Sequence, residues 1–366
     1  MGWQSNGETV TTLASHQTAG LVCSHHHLYS SLARGMPAPP AVPTSFRGIL
    51  ENVWWRLDAA LDLDSIYWSA ALGAVEALRA GCTTIIDHHE SPFAIEGSLD
   101  AISRACDDLG VRHILSYGVT DRWSNGSLVT DIPASMTDGA RLGLAETERY
   151  VSGGGNAMVG VHASFTCSNE TLEAAADLAR RLNIGVHIHV AEGPDDKDAA
   201  QRIRHLVDDT WLLVHCVHLE DDLPGTIVHN ARSNMNNAVG YARPARFKNR
   251  VVLGTDGIGA DMFEEARIAY ARLREHDVTA TPDTVWQWLE NGYALAPASR
   301  NDVVSWNYDH MNEPWRLAFT TGVTATDVVI EGQPVLKEGR VTTVDVDEIR
   351  AKAEEAAKRL HQRLES

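Results

Sequence analysis

The sequence predicts a (β/α)8 barrel, the α/β fold in which eight parallel strands alternate with helices. Eight short runs rich in apolar and β-branched residues recur along the 366 residues, and helical patterns lie between several of them. Of the 17 histidines, eleven fall within or just after the C-terminal part of one of these runs. Because such barrels build their active site at the C-terminal ends of the strands, this distribution favours the same fold.

Each predicted strand is bounded by glycine, proline or polar residues. The strands are predicted at 20–27, 82–89, 111–121, 158–165, 185–192, 211–218, 226–234 and 250–257. Helical periodicity marks residues 66–80, 98–110, 168–182 and 261–276. The Pro-rich stretch 34–45 is predicted to be a loop over the barrel mouth, and Trp54 and Trp55 after it are expected to pack in a lid or in the core.

The chain ends in a different pattern. In 325–345, alternating valines and the turns "EGQP" and "KEGR" indicate two or three short antiparallel strands. A charged amphipathic helix follows, with Ile349, Ala356 and Leu360 on one side, and it is expected to pack on its own domain. The predicted domains are a barrel at 19–317, the remnant of a β-sandwich at 1–18 and 318–346, and a C-terminal helix at 347–366.

The composition is that of a soluble globular protein, with 44% hydrophobic and 22% charged residues. The net charge of −18 argues against a nucleic-acid partner and against binding to an anionic membrane. No apolar run approaches the length of a transmembrane helix, and the first residues lack a secretion signal. The five cysteines form no CxxC pair, which favours reduced thiols in a cytoplasmic protein.

The stretch "SHHHL" places three histidines at the end of the first predicted strand. Since alternate side chains share one face of a strand, His25 and His27 point to one side and His26 to the other. An H-x-H pair can hold a metal ion through two imidazoles while further ligands come from elsewhere in the fold. His26 is expected to pack toward the outer layer of the barrel.

Three later strand ends offer matching side chains. "VHIHVAE" supplies His189 near the mouth and His187 deeper in the strand, with Glu192 three residues beyond, so His189 is the better ligand and His187 a core or supporting residue. "LLVHCVH" supplies His215 at the end of the sixth strand. "LGTDG" supplies Asp256, a carboxylate that can bind a metal ion and also take a proton from water.

These motifs occur in the order typical of the amidohydrolase superfamily. The segments "GLVCSHHHLYSSLARGM", "ENVWWRLDAALD", "TTIIDHHESP", "HNARSNMNNAVGYA" and "GTDGIGADMFEEA" resemble the SsnA-like aminohydrolases, in the branch that contains guanine deaminase and the triazine hydrolases. The resemblance covers residues 18–280 and extends over the C-terminal strands and helix. Five motifs in one register are far more specific than any one of them alone.

The resemblance implies that His25, His27, His189 and Asp256 bind one divalent metal ion, with zinc the first choice and iron the alternative. It implies that Glu192 shuttles protons, that Asp256 also accepts the proton of the attacking water, and that His215 orients that water or polarises a substrate carbonyl. Binuclear relatives use a modified lysine on the fourth strand, where this chain reads "MVGVHASF", so a single ion is expected.

The reaction that the resemblance implies is attack of a metal-activated water on an sp² carbon, in the hydrolytic deamination of a small nitrogen heterocycle. Two alternatives stay open. One is cyclic amide hydrolysis, or hydrolytic displacement of chloride or an alkylamine from a heteroaromatic ring. The other is a degenerate, non-catalytic metal-binding scaffold.

Further side chains are candidates for contact with a small-molecule substrate. They are His162, His229, Arg34, Arg122 and Trp54. The two histidines correspond to positions at which related enzymes contact substrate, and the arginines lie just beyond strands, where either could meet an anionic group. His88 and His89 are neighbours on a strand, so at most one of them can face the site.

Two features depart from the family pattern. Only seven residues, 219–225, separate "HCVH" from "TIVHN", whereas a parallel crossover usually needs about a dozen or more. Either residues are missing at this point or the barrel wall is open there. The strands that usually precede such a barrel are also absent, which leaves the C-terminal strands with an uncovered edge and predicts a homo-oligomer, a dimer as the first choice.

Overall fold

The computed structural model describes residues 13–129 and 131–365. The strands are β1 (Gln17–Ala19), β2 (Leu21–His27), β3 (Cys82–His89), β4 (Arg112–Tyr117), β5 (Trp123–Ser124), β6 (Ser127–Leu128), β7 (Val159–Ala163), β8 (Val186–Val190), β9 (Leu212–His215), β10 (Thr226–His229), β11 (Val251–Leu253), β12 (Asp256–Gly257), β13 (Val303–Trp306), β14 (Ala325–Ile330), β15 (Gln333–Lys337) and β16 (Arg340–Val341). The α-helices are α1 (Phe46–Ile49), α2 (Trp55–Ala60), α3 (Leu63–Arg79), α4 (Ser98–Leu109), α5 (Asp138–Ser152), α6 (Asn169–Leu182), α7 (Ala199–Ile203), α8 (Ala231–Asn236), α9 (Met262–His276), α10 (Pro282–Glu290), α11 (Pro314–Phe319) and α12 (Val346–Glu365).

Eight parallel strands close into a barrel. β2, β3 and β4 pair in that order, β12 pairs with β2 on its other side, and β7 to β11 form a second run of parallel pairs. Parallel bridges from Leu115 to Ala157 and from Val119 to Val161 join the two runs on one side. On the other side β11 continues through Gly254 and Thr255 into β12, so these two segments together are the eighth strand. The predicted (β/α)8 barrel is confirmed.

Alternate side chains of the strands separate an inner core from an outer one. Ile86, Leu212, Val214, Val228 and Val252 are buried together inside the barrel. The neighbouring side chains on the other face of the strands join a much larger apolar layer beneath the helices. The apolar interior closes the barrel below the C-terminal strand ends, so a ligand can enter only from the mouth.

The short connection between β9 and β10 leaves no opening in the wall. The two strands pair directly, with Thr226 opposite Leu212 and Val228 opposite Val214. The intervening residues 216–225 contain no helix, and an extended chain of that length reaches about 33 Å, well beyond the roughly 13 Å of a four-residue strand. The expectation of an open wall is therefore wrong, because an extended segment can replace the usual helix.

A separate antiparallel sheet lies beside the barrel, in the order β1-β13-β14-β15-β16. The turns Glu331-Gly332 and Glu338-Gly339 join its last three strands, and all four residues have positive φ, as two-residue type I′ hairpin turns require. They lie in the "EGQP" and "KEGR" segments singled out in the sequence. The sandwich assigned to 1–18 falls outside the described residues over 1–12.

The C-terminal helix α12 packs against α3 through a buried face that includes Ile349, Ala356 and Leu360. All five cysteines are buried free thiols. Among the described helices, none combines the length and the apolar character that crossing a lipid bilayer demands.

Candidate metal centre

Five side chains converge at the C-terminal mouth of the barrel. His25 and His27 come from β2, His189 from β8, His215 from β9 and Asp256 from β12. Asp256 Oδ1 lies 3.0 Å from His27 Nε2 and 3.6 Å from His25 Nε2. Three groups of possible ligands, each with all its ligand atoms within 4.8 Å, overlap here: His25 with His189 and His215, His25 with His27 and Asp256, and Glu192 with His215 and Asp256. The structure thus brings together all four side chains predicted to bind the metal.

Backbone carbonyls set the tautomers of two of these histidines. His189 Nδ1 donates to His162 O at 2.6 Å, and His27 Nδ1 donates to His88 O. A carbonyl oxygen only accepts, so the proton of each neutral ring sits on Nδ1 and the lone pair on Nε2 faces the cluster. Both rings are therefore held in the tautomer that can bind a cation through Nε2.

His25 is oriented by another histidine. Its Nδ1 lies 2.8 Å from His187 Nε2, and His187 Nδ1 lies 3.0 Å from Ser116 Oγ. For His25 to present the lone pair of Nε2, its Nδ1 must donate to His187, which in turn donates to Ser116. The deeper histidine of "VHIHVAE" therefore supports a predicted ligand, as its position in the strand suggested.

The imidazoles are kept neutral, as metal ligands must be. Burial lowers the pKa of His25 and His215, and lowers that of His189 to about 3. His27 differs: burial lowers its pKa, but the hydrogen bond and the charge of Asp256, together with the His88 carbonyl and the charge of Asp87, outweigh burial and raise the pKa to about 9. Burial would also raise the pKa of Asp256, yet the nearby imidazoles of His25, His27 and His215 together hold it well below the ordinary range. A cation in this cluster would replace the proton that His27 and Asp256 share.

The cluster fits a divalent cation. His25 Nε2 and His215 Nε2 are buried and have no hydrogen-bond partner among the described residues. Leaving a buried nitrogen unpaired costs about 1–3 kcal/mol, so two such atoms in one cluster indicate a missing partner. Imidazole nitrogens with carboxylate oxygens form the donor set that zinc and ferrous iron accept.

The loop that carries Asp256 has an unusual backbone. Asp256 and Ile258 adopt φ values of 60° and 61°, a region that a β-branched residue such as Ile seldom enters. Arg232 holds this loop, because its Nη2 lies within 2.9 Å of the carbonyl oxygens of Thr255, Gly257 and Ile258. Arg232 is thus a positioning residue for Asp256.

We expect Arg232→Met to lower the free energy of unfolding by about 2 kcal/mol and to weaken metal retention, since three carbonyls lose their donor. Urea unfolding and metal analysis after dialysis would measure both effects. Arg316→Met, at an exposed arginine paired with Glu313, is the control and should change stability by less than about 0.5 kcal/mol. Equal behaviour of the two variants would contradict the positioning role.

Glu192 and His215 stand side by side beneath the cavity. Glu192 Oε2 lies 3.3 Å from His215 Nε2, and Asn237 lies within hydrogen-bonding distance of Glu192 Oε1. Burial, followed by the charge of Asp256, raises the pKa of Glu192 well above its ordinary value. Burial therefore favours the protonated form of this carboxyl group, which can donate a proton. His215 Nδ1 donates to Asn234 Oδ1 at 2.7 Å, which leaves Nε2 facing the two carboxyl groups.

A cavity of about 230 Å³ opens above these residues. Its lining includes His27, His189, His215, Glu192 and Asp256 at the base, and Phe46, Trp54, Trp55 and Phe165 around the wall. Aromatic faces above a polar base suit a flat heterocyclic ligand.

Two of the five predicted substrate contacts, His162 and Trp54, line this cavity, whereas the other three do not. Arg34 lies in a partly exposed ion pair with Glu76 at 2.7 Å. Arg122 is buried behind the wall, against Trp55. His229 shares the outward face of β10 with Ile227 and packs near Tyr241 and Trp288. The placement of His229 follows from strand alternation, since its inward neighbour on β10 is Val228.

The neighbouring histidines of two strands point to opposite faces, as predicted. The His88 ring centroid lies 4.6 Å from that of His189, whereas His89 Nε2 lies 2.8 Å from Ser91 Oγ, away from the cluster. His26 Nδ1 lies 3.0 Å from Thr255 Oγ1. His26 is thus buried and bound to the segment between β11 and β12, outside the metal cluster.

The sequence reasoning missed several residues at the cavity. They are Asp58, Glu90, Ser233 and Asn237 in its lining, and Asn234 beneath His215. Ser233 Oγ donates to Asp256 Oδ2 at 2.5 Å. The polar stretch "HNARSNMNN", which begins inside the seventh predicted strand and runs past its end, was the available signal for Ser233, Asn234 and Asn237, since polar residues at the end of a barrel strand face the mouth.

The chain is similar to known proteins in both sequence and fold. Residues 17–290 match the model of the amidohydrolase family. The chain is 26% identical to the 5-methylthioadenosine/S-adenosylhomocysteine deaminase of Thermoanaerobacter pseudethanolicus, over 94% of this chain and 87% of that protein. It is 27% identical to the 5'-deoxyadenosine deaminase of Methanocaldococcus jannaschii, over 92% and 87% of the two chains.

Solved structures share the fold. The zinc-bound adenosine deaminase of Xanthomonas campestris superposes with a TM-score of 0.78 at 21% identity, covering 94% of this chain and 86% of that one. The zinc complex of atrazine chlorohydrolase from Arthrobacter aurescens superposes with a TM-score of 0.73 at 19% identity, covering 93% and 88%. At these identities the superpositions establish the shared architecture.

Proposed function

The chain belongs to the amidohydrolase family, and from that premise we propose that it is a mononuclear zinc enzyme that removes the amino group from an adenine-type ring as ammonia. The observation that carries the proposal is the juxtaposition of Glu192, His215 and Asp256 at the base of the aromatic-lined cavity. A protonated carboxyl group and an ionised one, side by side, are the acid and the base that hydrolytic deamination needs.

The metal ion would be held by His25, His27, His189 and Asp256. Its Lewis acidity would make water nucleophilic at neutral pH. The absence of a lysine from β7 supports a single ion. His215 Nε2, unpaired and near both His25 and His189, would hold the attacking water or the substrate at the same point.

The side chains of Asp256 and Glu192 can then accept and donate the protons that the reaction moves. Asp256 accepts a proton from water as its oxygen adds to the ring carbon that bears the amino group. Glu192 gives its proton to the adjacent ring nitrogen, so the tetrahedral carbon carries both a hydroxyl and an amino group. The proton held by Asp256 passes to the amino nitrogen, and the C–N bond breaks to release ammonia. The hydroxyl proton returns to Glu192, so the ring carbon keeps a carbonyl oxygen and both carboxyl groups are restored.

The sequence relatives support an adenine-type ring as the reacting group. The two deaminases are named for 5-methylthioadenosine, S-adenosylhomocysteine and 5'-deoxyadenosine, which share the 6-amino purine and differ at the 5' position. Phe46, Trp54, Trp55 and Phe165 provide faces against which such a ring can stack.

We further propose a dimer in the cytoplasm. Five buried thiols without a disulfide suit a reducing compartment. The five-stranded sheet leaves β1 and β16 at its two edges, and a second subunit would cover the backbone groups of an edge.

We expect zinc-loaded protein to release ammonia from adenosine or its 5'-modified forms, and to lose that activity on chelation and regain it with zinc. A coupled ammonia assay across adenosines, guanine, cytosine, triazines and hydantoins would measure this. Turnover confined to triazines or hydantoins would replace the proposal with the corresponding displacement or ring opening. A zinc-loaded protein inactive on every compound would contradict the proposal in favour of a scaffold.

A further inference from the structure

One wall of the cavity carries two carboxyl groups that the proposed reaction does not use. Asp58, on α2, and Glu90, directly after β3, both line the cavity and are only 1% and 4% exposed. Arg122 contacts both: its Nη2 donates to Glu90 Oε1 and lies 3.8 Å from Asp58 Oδ2. One guanidinium is thus shared by two carboxyl groups.

Arg122 is held away from the cavity. It is 1% exposed, its guanidinium lies 4.2 Å over the Trp55 ring, and its Nε donates to Thr120 Oγ1 at 3.1 Å. The guanidinium therefore pairs with the two carboxyl groups through Nη2 from behind the wall, and it is not among the residues that line the cavity. From the sequence, Arg122 was expected to meet an anionic group of a substrate, whereas in the structure it pairs with carboxyl groups of the protein itself.

Asp58 has unused capacity to accept hydrogen bonds. Its Oδ1 is buried and has no hydrogen-bond partner among the described residues. Burial, and then the charge of Glu90, raise the pKa of Asp58 well above its ordinary range, although Arg122 and the Tyr29 hydroxyl act against them. A donor group from a ligand would satisfy Oδ1 and stabilise the carboxylate.

Apart from the proposed metal site, the described residues that line the cavity include no arginine or lysine that is free to pair with an anion. Arg232, the arginine among the lining residues, already donates to the three carbonyls of the Asp256 loop. Arg47, near the wall, pairs with Glu51 at 2.6 Å. A phosphate or carboxylate placed beside Asp58 and Glu90 would meet like charge in a desolvated site.

The wall lies one side chain away from the metal cluster. His162 bridges the two, with its Nε2 4.0 Å from Glu90 Oε2 and its ring centroid 5.6 Å from that of His189. A ligand whose ring reacts beside His189 would thus extend its substituent past His162 toward the two carboxyl groups.

We propose that Asp58 and Glu90 form a recognition site for a substituent that donates hydrogen bonds and carries no negative charge, such as a pair of hydroxyls or an ammonium group. The inference rests on the proposed function, because it assumes that the ring reacts at the metal centre. It makes the substrate a nucleoside-like molecule with donor groups and excludes nucleotides.

The test compares kcat/KM for adenosine, 5'-amino-5'-deoxyadenosine, 2',3'-dideoxyadenosine and the 5'- and 3'-monophosphates of adenosine. We expect the wild-type protein to prefer adenosine or the amino compound over both phosphates by at least about 100-fold. Glu90→Gln should reduce that preference at least about tenfold, and Asp58→Asn should raise KM for the preferred compound with little change in kcat. If the variants lose the preference for adenosine over the dideoxy compound, the two carboxyl groups recognise hydroxyls. If they lose the preference for the amino compound over adenosine, the two carboxyl groups recognise an ammonium group.

Glu96→Gln, an exposed glutamate six residues beyond Glu90, is the matched control and should leave all the ratios unchanged. Efficient use of a phosphate by the wild type, or unchanged ratios in both cavity variants, would overturn the inference while leaving the deaminase proposal intact. If no compound releases ammonia, the deaminase proposal fails. Thermal shifts of the zinc-loaded protein with adenosine and with its phosphates then test the recognition site. The proposal requires that adenosine raises the unfolding temperature, that the phosphates do not, and that Asp58→Asn loses the effect of adenosine.

Discussion

Replacing Glu192 by Gln is expected to abolish turnover and leave the metal site filled. Gln keeps the shape of the side chain and the contact with Asn237, but it has no carboxyl proton to deliver, whereas the raised pKa of Glu192 favours the protonated acid. Loss of a general acid costs about 10²- to 10⁴-fold in rate. Steady-state ammonia release and metal analysis on the same preparation would measure the two effects.

Asp195→Asn is the matched control, since Asp195 is an exposed carboxylate three residues along the same loop. It should retain full activity. If Glu192→Gln kept more than a tenth of the wild-type kcat, the proton would have to come from another group. If the variant lost its metal instead, Glu192 would be a ligand together with His215 and Asp256, with which it already clusters.

Strand alternation is the part of this site that a sequence can predict. His25 and His27 share a face of β2, and His187 and His189 share a face of β8, because each pair is separated by one residue in a regular strand. The barrel then places the ends of β2, β8 and β12 at one mouth, so residues more than 160 positions apart meet without any further information.

His215 shows where alternation stops being informative. Leu212 and Val214 point into the barrel and Leu213 points out, so a regular strand would direct His215 outward as well. A φ of 70° at His215 breaks the alternation at the last residue of β9 and accompanies its place beside Glu192. The histidine at the end of β10, His229, lacks such a backbone change and stays on the outer face, away from the cavity.

The recognition wall was beyond sequence reasoning for a different reason. Asp58 comes from α2, Glu90 from the end of β3 and Arg122 from the loop after β4, and none of the three has a motif that ties it to the others. A single arginine after a strand suggests an anionic ligand. The two buried carboxyl groups that pair with Arg122 can be identified only once the fold is known.

The backbone at the mouth is strained where the chemistry is placed. Ala191, beside Glu192, has φ of 48°, and His215 and Asp256 have 70° and 60°. Such conformations cost on the order of 1 kcal/mol or more each and persist only where surrounding contacts enforce them. Asn234 beneath His215 and Arg232 around Asp256 supply those contacts, so the site depends on residues outside the metal cluster.

The three adjacent histidines give the sharpest test of the metal site. We expect His27→Asn to empty it and His26→Asn to leave its metal content unchanged. The amide of Asn can occupy the position of Nδ1, so each variant keeps the inner hydrogen bond, to His88 O in one case and to Thr255 Oγ1 in the other. What each variant loses is Nε2, and only in His27 does that atom lie in the cluster, 3.0 Å from Asp256 Oδ1. The two substitutions therefore differ in whether the lost nitrogen faces the ion.

Zinc content after dialysis should fall in His27→Asn. The loss of zinc affinity in this variant should exceed the roughly 10- to 100-fold that removal of a supporting hydrogen bond alone causes. Equal zinc in both variants would show that His27 is not a ligand, and loss from both would show that the fold of β2, rather than one imidazole, holds the site.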